Sequence, residues 1–285
     1  MIDASQAYGA RLGAAVDAHG PLCVGIDPHA GLLKAWGLTD DLDGLRRFCD
    51  TVVESLAGQV ALAKPQSAFF ERHGAGGVAV LEHTLAMLRE VGVLSLLDVK
   101  RGDVGSTMDA YAEAYLAEDS PLRADAITLS PYLGVGSLQP AFDLADQTGR
   151  GVFVLALTSN PEGASVQRAS LDGISVAGSV IEAVTARNVR ERSAGRFGST
   201  GMVVGATTGK HIADLGLGEA LAASRAPLLA PGLGAQGADV DDLDRGFGSA
   251  YPLVLPSSSR GILEAGPSPA GLRAAIRRQA DDLQG

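Results

Sequence analysis

The sequence predicts an α/β protein folded as a (β/α)8 barrel, also called a TIM barrel. Three observations lead to this prediction. Eight short apolar segments recur along the 285 residues, helical patterns separate them, and polar or charged residues stand at the ends of most segments. Strand and helix in alternation are typical of a parallel sheet, and eight repeats match a closed barrel.

The predicted strands are nearly continuous apolar runs, without strict alternation of polar and apolar residues. Such runs fit parallel strands that are covered on both faces. The eight predicted strands are residues 21–27, 59–66, 94–100, 124–131, 151–159, 201–207, 227–234 and 252–259.

Helical periodicity is clearest in the segment between the first and the second predicted strand. Apolar residues spaced three and four apart form one stripe there, which predicts an amphipathic helix packed on the sheet. Weaker patterns occupy residues 78–91, 136–145, 176–189 and 269–283. The stripe consists of Leu45, Phe48, Cys49, Val52, Val53 and Leu56.

We interpret residues 1–285 as one barrel domain with an N-terminal helix and an insertion around residues 160–200. A connection of that length exceeds what a minimal barrel needs. The alternative is an open, doubly wound sheet. No glycine-rich dinucleotide fingerprint follows the first strand, where residues 25–29 read GIDPH, so a nucleotide-cofactor fold is less favoured.

Composition narrows the classes of partner. The net charge of -10 and the pI near 4.9 argue against a nucleic-acid or anionic-membrane binder. A small phosphorylated ligand stays possible, because it needs only one or two local cations and backbone N–H groups.

Cys23 and Cys49 are expected to be small buried hydrophobic residues and not a disulfide. With no secretory signal or long apolar run, a cytoplasmic setting is expected.

Charged and polar residues stand where the predicted strands end. Barrel enzymes place their sites at the carboxyl ends of the strands, so these residues are candidates. Each has a simpler interpretation taken alone: Asp27 before Pro28 could shape a turn, and Lys64 could extend to the rim. Their coincidence at one end favours a site. The residues that end the first four strands are Asp27, Lys64, Asp98 with Lys100 and Asp103, and Ser130.

Lys64, Asp98, Lys100 and Asp103 carry no net charge together, so an alternating network could keep all four ionised in a poorly solvated cavity. A lysine between two carboxylates is expected to stay protonated. Lys100 is therefore expected to donate a proton and not to act as a Schiff-base amine. No cluster of residues has metal-ligand spacing, and the five scattered histidines are expected at the surface.

The last two strands end in a pattern that predicts a phosphate site. Barrels commonly hold phosphate after these strands. Pro231 and Gly232 begin a glycine turn that offers backbone N–H groups, and Gln236 can add a side-chain donor. Arg260, followed by Gly261, can bind a phosphate bidentately.

With these residues assembled, the chain resembles the orotidine 5′-phosphate decarboxylase family, and most closely its longer bacterial branch. The resemblance spans essentially the whole chain. The Asp-x-Lys-x-x-Asp core is shared with sister decarboxylases and aldolases, but its extension through Thr107 and the phosphate end is specific. The motifs that carry the resemblance are residues 25–28 (GIDP), 64–66 (KPQ), 98–107 (DVKRGDVGST), 130–134 (SPYLG), 231–237 (PGLGAQG) and 259–261 (SRG).

The resemblance implies a role for each candidate residue. Asp27 and Lys64 would hold the ribose hydroxyls, Asp98 would lie against the substrate carboxylate, and Lys100 would protonate C6 of the pyrimidine. The remaining implied roles concern the dimer, the base and the phosphate. Asp103 and Thr107 would reach the neighbouring subunit's site in a homodimer. Ser130 would recognise the pyrimidine edge. The phosphate would be bound by Gln236 and Arg260, with Pro231, Gly232 and Gly261.

The resemblance also implies the reaction: orotidine 5′-monophosphate loses CO2 and gives UMP in pyrimidine biosynthesis, without metal or cofactor. Ser259 replaces a glycine of the family's compact branch, which affects the expected phosphate donors. Two alternatives stay open. One is a metal-dependent sugar-phosphate decarboxylase or aldolase of the same suprafamily, and the other is a non-catalytic barrel that binds a phosphate ligand.

Overall fold

A closed barrel of eight parallel strands forms the centre of the structure, a computed structural model that describes residues 7–190, 195–234 and 239–283. The barrel confirms the predicted fold class. Its strands are β1 (Cys23–Ile26), β2 (Leu62–Pro65), β3 (Leu94–Arg101), β4 (Ala126–Leu129), β5 (Gly151–Leu157), β8 (Thr200–Val204), β9 (Leu228–Pro231) and β10 (Val254–Ser258), and β6 (Ser170–Leu171) and β7 (Ile174–Ser175) form a separate hairpin. Around the barrel the order is β1-β10-β9-β8-β5-β4-β3-β2.

Helices alternate with the barrel strands. The stripe predicted from residue 45 to residue 56 is buried on the third helix of the chain, where apolar spacing of three and four places it against the barrel. The helices are α1 (Tyr8–His19), α2 (Ala30–Ala35), α3 (Leu42–Leu56), α4 (Ala68–Glu71), α5 (Gly74–Glu90), α6 (Gly105–Leu116), α7 (Gln139–Thr148), α8 (Ala164–Gln167), α9 (Val176–Arg190), α10 (Gly209–Asp214), α11 (Gly218–Ala223), α12 (Val240–Phe247), α13 (Arg260–Leu263) and α14 (Pro269–Asp282).

Each predicted apolar run overlaps one barrel strand, but most runs extend past the strand's carboxyl end. The run 227–234 contains β9, which ends at Pro231, and the run 124–131 contains β4, which ends at Leu129. The polar residues that end the runs therefore stand either in the last residues of a strand, as Lys64, Asp98 and Lys100 do, or in the loop that follows it.

Helix α1 covers the opposite, amino-terminal end of the barrel. Tyr8 is fully buried and meets Phe153 edge to face, and its ring fills the space that a side chain at Gly151 would need. Arg11 donates to Asp125 at 2.6 Å and to the carbonyl of Gly149 at 2.9 Å. Because α1 closes this end, ligands must approach from the carboxyl-terminal rim.

The long connection after β5 contains α8, the β6–β7 hairpin and α9. Ser170 pairs with Ser175 and Leu171 with Ile174 in antiparallel register. None of the helices within the described residues combines the length and apolar character that a membrane crossing requires.

Candidate active site

A cavity of about 420 Å3 opens at the carboxyl-terminal rim of the barrel. Strand ends from opposite sides of the barrel meet around it, which is where barrel enzymes place their sites. Seven of the residues predicted for the site line it: Asp27, Lys64, Asp98, Lys100, Pro231, Gly232 and Arg260.

Lys64 joins the first three strands of the barrel through its ammonium group. The residue is buried at the end of β2, and its Nζ lies 3.3 Å from Asp98 Oδ2, 3.9 Å from Asp27 Oδ1 and 3.2 Å from Gln66 Oε1. Burial alone would lower the pKa of Lys64, but the charges of Asp27 and Asp98 outweigh it and raise that pKa above its usual value. Lys64 is therefore a fixed cation.

Asp98 is the centre of the charged network. Nζ of Lys100 lies 2.6 Å from both of its carboxylate oxygens, and the buried hydroxyl of Thr128 donates to Oδ1 at 2.7 Å. Burial alone would raise the pKa of Asp98, but Lys64 and Lys100 nearby, together with the hydrogen bonds from Lys100 and Thr128, lower it below its usual value. Asp98 is therefore held as a carboxylate.

Lys100 presents its ammonium to the open part of the cavity. Its side chain is 46% exposed, whereas that of Asp98 is 8% exposed. The backbone of Lys100 has a φ of 46°, a left-handed conformation that lysine rarely adopts. Such conformations are concentrated at functional sites, because surrounding contacts must hold them in place.

Within one chain, the four charged side chains that lie together and carry no net charge include Asp27, whereas the predicted quartet included Asp103. Asp27, Lys64, Asp98 and Lys100 alternate in sign and lie together. Asp103 does not line the cavity. Its Oδ1 accepts a hydrogen bond from the backbone N–H of Val104, and Thr107 is exposed on α6. Within this chain Asp27 supplies the second carboxylate beside Lys64, because β1 and β2 are neighbours in the barrel.

Arg260 lines the cavity at the start of α13, directly after β10, the strand that pairs with β1 on the side away from β2. It is exposed, and no salt bridge is found for it among the described residues. Pro231, Gly232 and Ser259 line the cavity near it, and Gly232 has a positive φ of 114°. Gly261 follows on α13 without lining the cavity. The prediction for Gln236 lies outside the described residues.

Ser130 is not among the residues that line the cavity. Its backbone N–H donates to the carbonyl of Arg101 at 2.7 Å, and its own carbonyl packs against Gly102. These contacts place Ser130 against the turn after β3. Thr158 and Ser159, which follow β5, line the cavity instead, and the Thr158 hydroxyl is hydrogen-bonded to Asn160 and Gln167.

Sequence reasoning missed several lining residues. Thr158 and Ser159 obey the same strand-end rule, but they lie inside the predicted fifth strand, residues 151–159, and carry no charge that marks its end. Gln66 stands two residues after Lys64, a spacing that could have suggested it. His29 was expected at the surface, yet it lines the cavity, because its Nδ1 accepts the N–H of Leu32 and begins α2 there.

Within the described residues, no group of three or more histidine, cysteine, aspartate or glutamate side chains is placed to hold a metal ion. Positive charge around the cavity comes from Lys64, Lys100 and Arg260. The arrangement can bind an anionic ligand at two ends, with a carboxylate and an ammonium in contact at one of them.

Acid is expected to destabilise the fold through Asp98. Its pKa is lower in the folded chain than the value of about 3.9 expected when unfolded, so its stabilisation is present above about pH 4 and is lost as the pH falls through the folded pKa. The free energy of unfolding of wild type and Asp98→Asn, measured by denaturant titration between about pH 2 and pH 7, should converge as the pH falls. Asp109→Asn, on an exposed part of α6, is the control. A difference that does not change with pH would contradict this assignment.

Comparison with known proteins adds independent evidence. A model of the orotidine 5′-phosphate decarboxylase/HUMPS family matches residues 20–275. A relative from Salinispora arenicola named orotidine 5′-phosphate decarboxylase is 60% identical over 280 residues, which cover 98% of each chain. One of the same name from Streptomyces coelicolor is 54% identical over 281 residues and also covers 98% of each chain.

Solved structures give the same result. A crystal structure from Streptomyces avermitilis, described as an orotidine 5′-phosphate decarboxylase, has a TM-score of 0.91 and 54% identity, covering 98% of this chain and 95% of that one. The Leishmania donovani OMP decarboxylase has a TM-score of 0.75 and 30% identity, covering 98% of each chain.

Proposed function

This chain belongs to the orotidine 5′-phosphate decarboxylase/HUMPS family, and from that premise we propose that it decarboxylates orotidine 5′-monophosphate to UMP in pyrimidine biosynthesis. One observation of the site supports the proposal most directly. Lys100 Nζ contacts the buried carboxylate of Asp98 in the same cavity that Arg260 lines. A substrate with a phosphate at one end and a carboxylate at the other fits that distribution of charge.

Binding uses the two sides of the cavity. Arg260 and Gln236 hold the phosphate together with the backbone N–H groups of Gly232 and Gly261, and Pro231 begins the turn that presents Gly232. Asp27 and Lys64 bind the ribose hydroxyls, with Gln66 beside them. The pyrimidine edge is assigned to the segment of Thr158 and Ser159, which lines the cavity where Ser130 does not. These contacts fix the reacting end, which lowers the entropic part of the barrier.

The chemistry takes place between Asp98 and Lys100. The substrate carboxylate lies beside Asp98, and the bond from C6 to the carboxyl carbon breaks. CO2 leaves, and the electron pair of that bond remains on C6. The Lys100 ammonium stabilises this developing negative charge and then transfers a proton from Nζ to C6, and the amine regains a proton from solvent. A preorganised charge acts without reorganising solvent, and such contributions are commonly the largest available to an enzyme.

The reaction is proposed to need no metal or organic cofactor, because the ammonium of Lys100 supplies both the positive charge and the proton. This feature separates the proposal from the metal-dependent sugar-phosphate alternative, whose enediolate chemistry needs a cation.

A homodimer completes the site in this proposal. Asp103 and Thr107 stand outside their own chain's cavity but close to its rim. Large apolar side chains are exposed in the segments after the paired strands β3 and β4: Val104 is 57% exposed, Tyr132 79% and Leu133 52%. Exposed apolar residues grouped around polar ones are typical of interaction surfaces. A second copy would cover these residues and receive Asp103 and Thr107 in its own site.

Cytoplasmic localisation belongs to the proposal as well. Cys23 and Cys49 are both free and buried. Free thiols of this kind are usual in a reducing compartment.

The test is a direct absorbance assay for consumption of orotidine 5′-monophosphate after EDTA treatment and exchange into metal-free buffer. We expect turnover equal to that of the untreated enzyme, with one UMP formed per orotidylate consumed, because the proposed chemistry uses only side chains. Activity that disappears with EDTA and returns with a divalent cation would favour the sugar-phosphate alternative. Binding of UMP without any turnover would favour the non-catalytic barrel.

A further inference from the structure

The register between β3 and β4 is interrupted at the charged network. Leu97 pairs with Ile127, and the next paired residue of β3 is Arg101, opposite Leu129. Three residues of β3, from Asp98 to Lys100, therefore face a single residue of β4, Thr128. A bulge of this kind removes ladder hydrogen bonds and redirects side chains, and bulges are frequent beside active sites.

The side chain of Thr128 replaces the lost ladder bond. Its Oγ1 accepts the backbone N–H of Lys100 at 3.0 Å and donates to Asp98 Oδ1 at 2.7 Å. Thr128 is only 1% exposed and does not line the cavity. A hydroxyl has one hydrogen, and an ionised carboxylate can only accept, so that hydrogen is committed to Asp98 and a lone pair to Lys100.

The two groups that this hydroxyl contacts are the backbone of Lys100 and the carboxylate of Asp98. The N–H of Lys100 belongs to a residue whose φ is 46°, so the backbone must be held against its ordinary preference. Asp98 Oδ1 is shared between Thr128 and the Lys100 ammonium, while Oδ2 is shared between Lys64 and Lys100. Of these contacts, only the one from Thr128 comes from an uncharged group, and Thr128 alone among the three residues does not line the cavity.

We propose that Thr128 is a positioning residue for the decarboxylation: its buried hydroxyl holds the Lys100 backbone and the Asp98 carboxylate in the relative geometry that the reaction needs. The proposal rests on the proposed function of the site. Thr128 acts through Asp98 and Lys100 and does not touch the substrate.

Thr128→Val tests the proposal by removing the hydroxyl with little change of shape. We expect kcat to fall about 100-fold, because small displacements of reacting groups cost that much. The Kd for UMP, measured by calorimetry, should change by no more than about threefold, because Thr128 does not contact the ligand. Thr128→Ser keeps the hydroxyl and should retain kcat within about fivefold of wild type.

Thr84→Val is the matched control. Thr84 is also fully buried, and its hydroxyl donates to the carbonyl of Val80 within α5. This variant makes the same chemical change away from the network, so its kcat should equal that of wild type. If Thr128→Val does not fold, Thr128→Ser and Thr128→Ala replace it as a pair. Both lack the methyl group, so the ratio of their kcat values measures the hydroxyl alone.

A pH profile separates positioning from general stability. The hydroxyl bond favours the ionised form of Asp98, so its loss should move the acid limb of the kcat profile in Thr128→Val to higher pH. The charged groups that face Asp98 are Lys64 from β2 and Lys100 from β3, with Asp27 of β1 beyond Lys64. All three remain in the variant, so the shift would report on the hydroxyl.

The proposal would be overturned if Thr128→Val kept kcat within about twofold of wild type, or if Thr128→Ser lost as much activity as Thr128→Val. Wild-type turnover of orotidylate is measured first. Its absence would overturn the proposed function and this inference with it, whereas normal wild-type turnover with a fully active Thr128→Val would overturn this inference alone.

Discussion

Lys100→Ala is expected to lower kcat by about 10⁴-fold or more, because the change removes both the electrostatic stabilisation of C6 and the proton that C6 receives. The Kd for UMP should change by less than about tenfold, since the phosphate and ribose contacts remain. In the structure, Nζ of Lys100 is held 2.6 Å from both oxygens of Asp98, so the ammonium is in place before substrate binds. Stopped assays with orotidylate and calorimetry with UMP give the two quantities.

Lys210→Ala is the control for a general effect of losing a lysine. Lys210 is exposed on α10 and pairs with Asp214 at 2.7 Å, away from the charged network. Its kcat should equal that of wild type. If Lys100→Ala kept near-normal turnover while folding normally, Lys100 would not be the proton donor, and the proposed mechanism would be wrong.

Mixing two inactive variants is expected to restore activity. Lys100→Ala and Asp103→Ala should each retain less than about 1% of wild-type turnover. In a hybrid dimer, one site combines Lys100 of one subunit with Asp103 of the other and is therefore intact. Random exchange makes half of the dimers hybrid, with one intact site in two, so an equimolar mixture should recover about a quarter of wild-type activity. Exchange is followed by mass spectrometry of subunits that carry different tags.

A second mixture tests whether recovery requires a shared site. Lys100 and Asp98 lie in the same network of one chain, so Lys100→Ala mixed with Asp98→Ala leaves one lesion in each hybrid site. That mixture should stay inactive. No recovery from the first mixture, despite demonstrated exchange, would show that Asp103 does not complete a neighbouring site.

Much of the fold could be read from the chain itself. Parallel strands covered on both faces need nearly continuous apolar runs, and the helix stripe needs spacings of three and four, so both leave a local record in the sequence. The ends of elements were less well defined. Residues such as Ser130 follow the strand without a break in the pattern, so a run does not reveal where pairing stops.

The site was predictable where a strand end carries a charge. Asp27, Lys64, Asp98, Lys100 and Arg260 all line the cavity as expected. The neutral residues Thr158 and Ser159 carry no such signal. Thr128 carries none either, because a threonine inside an apolar run is an ordinary strand residue.

The sequence by itself determined the barrel, the cavity's charged residues and the family to which the chain belongs, because strand periodicity and motif spacing are local properties. Only the tertiary structure decided which charges meet. It placed Asp27 beside Lys64, left Asp103 at the rim, and set Thr128 opposite the bulge that holds Lys100. These contacts join residues up to 37 positions apart, and their distances depend on strand register and barrel closure, which no local pattern records.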